Sequence, residues 1–163
     1  MHYIFLMHYL ATTRFNTQTW EENKEWREKN DWSGCIYGTP VQIAERYTPN
    51  ILMFVLEMHN DKNKIKGIGL IKNAIVIGKH YSIYSDQNYN RYTYKSIHRV
   101  DRKNLNEREK VIIRVLDTLV FKGYRHLKRG QGIKVVPGWI TNNNKINFIT
   151  FFCELFQKYS SLK

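Results

Sequence analysis

The sequence predicts an α+β fold: one domain on a mostly antiparallel sheet, open or closed into a barrel, with about three flanking helices. Three observations carry that expectation. Residues 51–58 form an apolar run of strand length with a single charge, and a second apolar stretch opens at Gly67 and Gly69 after a polar turn at residues 61–64. Residues 107–121 and 145–159 each repeat apolar side chains at the spacing of one helical face. The regular strand–helix alternation of a doubly wound sheet is missing. At 163 residues the chain has room for one ordinary core and not for two comfortable ones.

In chain order, residues 3–13 mix aromatic, β-branched and aliphatic side chains and read as a first strand. A short surface helix to Asn30 follows, with Thr19 and Glu22 spaced as a capping box and acids in its first turn. Turn chemistry at residues 31–34 leads into a brief strand at 35–38 and then one or two helical turns across 41–47. Residues 51–58 are a buried strand, and 66–78 are its antiparallel partner, bent or bulged at its glycines. Tyrosines crowd residues 81–94 around a turn at 86–88, and a strand runs over 94–100. In the helix at 107–121, Val111, Val115, Leu116 and Leu119 share one face, Arg108, Lys110 and Arg114 take the other, and Gly123 supplies the stop. A last amphipathic helix spans 145–159, through Ile149, Phe152, Leu155 and Phe156.

Charge is distributed unevenly along this frame. Residues 1–60 carry five Lys/Arg against seven Asp/Glu, whereas residues 91–134 carry thirteen against four and so hold +9 of the formal +12. Cations gathered in one block can capture a polyanion and release its counterions. At the centre of the block, residues 122–132 place Lys122, Arg125, Lys128, Arg129, His126 and three glycines on one loop. The cations supply charge, and the glycines let backbone N–H groups approach a phosphate. The content of 42% hydrophobic and 14% aromatic residues excludes a disordered basic tail, so the block is displayed on a folded body.

The expected phosphate contacts are Arg91, Lys95, Arg99, Arg102, Lys103, Lys122, Arg125, His126, Lys128, Arg129 and Lys134. Cations of the acidic first part, Lys24 and Lys29 among them, are expected to lie outside the contact surface. Strict alternation puts Arg91, Lys95 and Arg99 on one face of their strand, with Tyr92 and Tyr94 beneath as core. Trp32, Tyr37 and Trp139 lie beside glycines or turns, where an exposed ring can stack on an unpaired base. Each also reads as core, and for Trp139 a ring plugged into the core is the expectation.

No arrangement for covalent or metal chemistry emerges. The histidines at 2, 8, 59, 80, 98 and 126 lack metal-ligand spacing. Cys35 and Cys153 make neither a disulfide framework nor a metal knuckle; they read as core filler in a reducing intracellular compartment. The pairs Gly67/Gly69 and Gly130/Gly132 lack the strand, fingerprint and helix order of nucleotide-binding loops. Residues 1–11 look apolar but have no preceding cations and no cleavage pattern, and Arg14 soon interrupts them, so neither a signal peptide nor a membrane span is expected. No cofactor is expected.

Two stretches carry a resemblance. Residues 90–95 with 98–102, and residues 119–123 with 126–133, resemble small uncharacterised proteins of nucleocytoplasmic large DNA viruses, of the Marseillevirus type, over roughly residues 34–140. The order of residues 51–77 followed by the tyrosine-rich strand resembles the PUA-like barrels, including the EVE, ASCH and YTH domains. The basic block points to a non-enzymatic nucleic-acid-binding protein, with DNA favoured over RNA, and the viral resemblance implies that it belongs to a large DNA virus, in the host nucleus or cytoplasm or in the virion. They leave two alternatives. One is an ASCH-like enzyme, for which Glu57, Asp86 and Asp101 would be the carboxylates to place, or a modified-base reader walled by Trp32 or Trp139. The other is a virion interaction protein that turns its basic face to acidic partners.

Overall fold

The apolar run of the sequence becomes the central strand of a mixed sheet, and the alternation of its side chains gives the molecule two cores. Met53 and Val55 enter one buried cluster, while Phe54, Leu56 and Met58 enter the other. The computed structural model describes residues 8–161. Its elements are β1 (His8–Phe15), α1 (Thr17–Lys29), β2 (Cys35–Thr39), β3 (Leu52–His59), β4 (Lys64–Lys72), β5 (Tyr92–Ser96), β6 (Arg99–Asp101), α2 (Glu107–Phe121), β7 (Lys134–Val135), α3 (Gly138–Thr141) and α4 (Phe148–Ser161). Residues 3–7 of the expected first strand lie outside the described residues, as does His2.

Five strands pair in the order β6-β4-β3-β1-β7, and β2 pairs with β5 in a separate ribbon. β1 and β3 run parallel; the other pairings are antiparallel. The large sheet ends in β6 and β7 and does not close into a barrel. Helices α2 and α4 cover one face, with Ile113, Leu116, Phe152 and Phe156 packed against Leu10, Phe54 and Leu56. The ribbon and Trp20 of α1 cover the other, with Tyr37, Ile36 and Tyr94 against Met53, Val55 and Ile71. Truncating a ring buried as completely as Phe54 costs about 3–5 kcal/mol, so β3 anchors both layers.

Several boundaries differ from the sequence reading. Helix α1 starts earlier than expected, its capping box is formed by Asn16 and Thr19 rather than Thr19 and Glu22, and its first turn holds no acid. Its Trp20 and Asn23 are buried, so it is a packed helix. Residues 41–47 form no helix, because the Ile43 N–H is donated to the Tyr94 hydroxyl at 2.9 Å instead of to a preceding carbonyl. β4 ends at Lys72, and beyond it the Val76 N–H bonds to the carbonyl of Thr93. The expected bulge is present: Leu56 pairs Ile68 and Met58 pairs Ile65, leaving Lys66 and Gly67 opposite Glu57 alone. The strand expected over 94–100 is broken at Ile97 and His98 into β5, which pairs β2, and β6, which pairs β4. Among the described residues no helix is long and apolar enough to cross a membrane.

Candidate nucleic-acid interface

Four elements that are distant in sequence converge on one basic groove. Lys24 and Arg27 come from α1, Lys64 and Lys66 from β4, Arg102 and Lys103 from the turn after β6, and Lys110 and Arg114 from α2. Glu28, Asp101 and Asp117 are the groove's acids. Two of these acids are already held: Asp101 meets Arg99 at 3.1 Å and Asp117 meets Arg102 at 2.8 Å. The groove, of about 680 Å³, has Trp20 in its wall, and Arg27, Lys66 and Arg99 stand 5.5, 5.7 and 5.8 Å from that ring. Mutual repulsion and burial lower the affinity of Arg27 for its proton, with burial the larger cause. A polyanion laid here would meet cations whose charge is mostly uncompensated.

The loop after α2 forms a second basic region. Lys122, Arg125 and Arg129 are exposed, and so is Lys134 on β7. Arg125 sits 5.7 Å from the ring of Tyr124 and 5.5 Å from that of Trp139. Tyr124 is 91% exposed and Trp139 39%, which corrects the expectation that Trp139 plugs the core: Ile140, its neighbour in α3, takes the buried position instead. The tip therefore offers a cation between two accessible rings, the composition of a stacking platform. His126 is half-buried and accepts the Lys128 N–H through Nδ1 at 3.2 Å. Lys128 turns inward to line a smaller cavity of about 230 Å³ beside Arg14, Asn60, Tyr89 and the glycines 130 and 132.

Other expected contacts are taken up by the fold. Arg99 is 5% exposed in its side chain and clamps Glu57, itself 2% exposed, through Nη2–Oε1 at 2.6 Å and Nε–Oε2 at 2.9 Å. Burial works against the charge of Arg99, but the Glu57 carboxylate overrides it and holds the guanidinium more firmly protonated than usual. It is an internal counter-ion, not a phosphate contact. The assumed alternation failed here because the break at Ile97 lets Arg99 turn to Glu57. Tyr37 is also corrected: it is 1% exposed, and its hydroxyl donates to Glu57 Oε2 at 2.7 Å. Its ring cannot meet a base. Gly67 and Gly69 make room for this network, since a Cβ on Gly67 would stand 2.6 Å from Arg99 Nη2 and 2.8 Å from Glu57 Oε1.

Arg102 is engaged through both terminal nitrogens, giving Nη1 to the Ile65 carbonyl and Asp117 Oδ1 and Nη2 to Asp117 Oδ2. Lys95 lies 3.8 Å from the centre of the Trp32 ring, and Trp32 itself donates Nε1–H to the Cys35 carbonyl, so this pair is tied to the ribbon. Arg91 is exposed beside Tyr92, and Lys103 is exposed in the groove. Of the predicted cations, the structure thus gathers Arg102 and Lys103 in the groove and Lys122, Arg125 and Arg129 on the loop; Arg91 and Lys95 flank the ribbon. Lys24, expected outside the contact surface, instead lines the groove, and Arg27, Lys64 and Lys66 join it without any local cluster announcing them; Lys110 and Arg114 belong to the 91–134 block but read only as the polar face of their helix. Arg14 carried a legible signal: it is a lone charge inside an otherwise buried strand.

The candidate catalytic carboxylates all have structural tasks. Glu57 holds Arg99 and Tyr37, Asp86 caps a short turn through the Asn88 N–H, and Asp101 caps the next through the Lys103 N–H. Cys35 is buried, and burial pushes its thiol up to about 12. Among the described residues no group of three or more His, Cys, Asp and Glu side chains gathers that could hold a metal ion. No protein-family model, no curated protein and no solved structure matches the chain. The viral and PUA-like resemblances therefore rest on their motifs and element order alone.

Proposed function

We propose that the chain is a non-enzymatic nucleic-acid-binding protein of a large DNA virus, with DNA as its favoured partner. The observation that carries the reading is the groove, where eight Lys and Arg line the wall with three acids; Asp101 is held by Arg99, and Asp117 is held by Arg102, one of the eight. Phosphates of a duplex or a single strand would lie along it, and the exposed tip of Tyr124, Arg125 and Trp139 would add stacking on unpaired bases. Such contacts fix position and carry little sequence information. The absence of an uncommitted carboxylate at Glu57, Asp86 and Asp101 supports binding over catalysis. A PUA-like assignment adds an analogy of element order, and fold alone does not deliver function.

Electrophoretic shifts with duplex DNA, single strands and double-stranded RNA across a salt series test the proposal. Five phosphate contacts give a slope of log affinity against log salt of about −4.5 on a duplex. A slope near zero overturns the reading, and an affinity independent of DNA length moves it toward a basic face for acidic protein partners.

A further inference from the structure

The smaller cavity holds a charge that the fold does not balance. Arg14, near the end of β1, is largely withdrawn from solvent, and burial pulls its guanidinium down to about 10. Its terminal nitrogens donate only to neutral acceptors: the Thr12 hydroxyl and carbonyl, the Leu127 carbonyl at 3.0 Å and the Gly132 carbonyl at 2.6 Å. Among the described residues no carboxylate pairs with it, and its buried Nε–H has no acceptor. A buried cation without a counter-charge is costly, and an anion that reaches it recovers that cost.

The surroundings suit such an anion. Lys128 lines the same cavity, and no Asp or Glu does. Gly130 and Gly132 have φ of 111° and 73°, left-handed backbone that any side chain would strain, and the turn they form brings the Gly132 carbonyl onto Arg14. The N-terminus of α1 opens nearby, but Asp61 already accepts its Thr17 N–H, so the helix end adds little. Tyr84 and Tyr89, with rings 6.3 Å apart at 72°, also line the cavity, and beside Lys128, whose carbonyl accepts the Asn60 Nδ2–H at 3.0 Å, the buried Oδ1 of Asn60 has no donor. Inorganic phosphate alone would leave that acceptor unmet, whereas a sugar hydroxyl or a base N–H on the same molecule would satisfy it. About 230 Å³ admits one nucleotide-sized group, against about 680 Å³ for the groove, and not a run of backbone.

We propose that this cavity receives a phosphomonoester of a nucleotide, either the terminal phosphate of a nucleic-acid strand or a free nucleoside monophosphate, with Arg14 and Lys128 on the phosphate. Two cations match a monoester, whose charge of about −1.5 to −2 near neutrality exceeds that of a backbone diester. The inference extends the nucleic-acid reading from the groove to the strand's end, and it rests on that reading only for the strand as source.

Fluorescence titration of the full chain with one single-stranded oligonucleotide bearing a 5′-phosphate, a 3′-phosphate or hydroxyls at both ends, and calorimetric titration with adenosine monophosphate and inorganic phosphate, test it. The expected result is about tenfold tighter binding of one phosphate-ended strand than of the hydroxyl-ended one. Lys128→Gln should abolish that difference between strand ends. Arg14→Gln should do the same, and if it fails to fold Lys128→Gln still decides. Binding of the monophosphate, weaker in Lys128→Gln, with no preference among strand ends identifies the free nucleotide as the source. Equal affinity for all strand ends together with no binding of the monophosphate overturns the inference, even where duplex binding in the groove keeps its salt dependence. Loss of groove binding with the monophosphate arm intact overturns the proposed function and leaves the cavity standing.

Discussion

Arg99, buried, and Arg14, partly buried with its Nε covered, stand on the same sheet, one on the edge strand β6 and the other on β1 beside the opposite edge, and the fold treats them in opposite ways. Arg99 is neutralised within 3.1 Å by Glu57 and Asp101, which hold it more firmly protonated than usual. Arg14 has only carbonyls and a hydroxyl, and burial pulls its proton affinity down. The difference teaches that a basic residue's place in a charge block says little about whether it can meet a ligand. Arg99 belongs to the +9 block and is spent internally; Arg14 belongs to the acidic first part and keeps its charge open. What decides is whether a carboxylate was folded in beside it.

The strongest break in that comparison is Glu57→Ala. It leaves Arg99 buried with Asp101 alone and strips Tyr37 of its acceptor, so chemical denaturation should show a loss of about 3–5 kcal/mol. Replacing both partners, Glu57→Leu with Arg99→Met, should recover much of that loss, because two apolar side chains leave no charge unpaired. Arg14→Gln removes hydrogen bonds to neutral acceptors and should cost less, about 1–3 kcal/mol. An Arg14 variant as unstable as Glu57→Ala would show that the two guanidiniums are structural to the same degree.

Surface cations at the two ends sharpen the comparison next. Lys66 and Lys110 line the groove at the Arg99 end, while Arg125 and Arg129 lie on the loop at the Arg14 end. Reversing Lys66 and Lys110 to Glu should weaken duplex binding on the order of a hundredfold and flatten the salt slope by about two, without lowering Tm. Reversing Arg125 and Arg129 should affect single strands more than duplex. Equal losses from both pairs on every substrate would mean a diffuse field with no groove.

Local signals made most of the fold legible. The period of residues 107–121 gave α2 with its observed bounds, and the apolar run gave β3 to within one residue. The glycines of β4 marked its bulge because the side chains of Glu57 and Arg99 must pass directly over Gly67. Non-local contacts hid the rest. Nothing near residues 41–47 shows that Tyr94 will take the Ile43 amide, and nothing near Lys24 shows that β4 and α2 will bring Lys64, Lys66, Lys110 and Arg114 beside it. The site divided in the same way: the exposed loop cations were readable from composition, whereas the groove exists only through topology. Trp139 was misjudged because Pro137-Gly138 fixes where the turn lies and not which of Trp139 and Ile140 faces inward.

That tryptophan supplies a smaller effect. Trp139→Ala should lower single-strand affinity by about 1–3 kcal/mol while leaving the thermal midpoint nearly unchanged, since the ring is 39% exposed beside Arg125. Titration of a short oligonucleotide beside a melting curve reads both quantities. A large fall in stability would return Trp139 to the core and leave Tyr124 as the tip's only platform.

The smallest effect is a pH dependence confined to the Arg99 end. Burial pushes the Asp101 carboxyl up, but the Lys103 N–H and the Arg99 guanidinium outweigh it and leave the group below its ordinary 3.8. An acid depressed in the folded state adds stability that is fully present above the unfolded value and is lost as pH falls through the folded one. The Asp101 contribution should therefore persist at pH 5 and above and fade below about pH 4. Because the carboxylate is half-exposed, solvent screening keeps it under about 1 kcal/mol. Asp101→Asn should flatten that part of the stability–pH curve. Arg14 has no carboxylate beside it, so Arg14→Gln should lower the curve by the same amount at pH 3.5 and pH 6; a change in its shape over that range would reveal an acidic partner for Arg14 and remove the contrast between the two ends of the sheet.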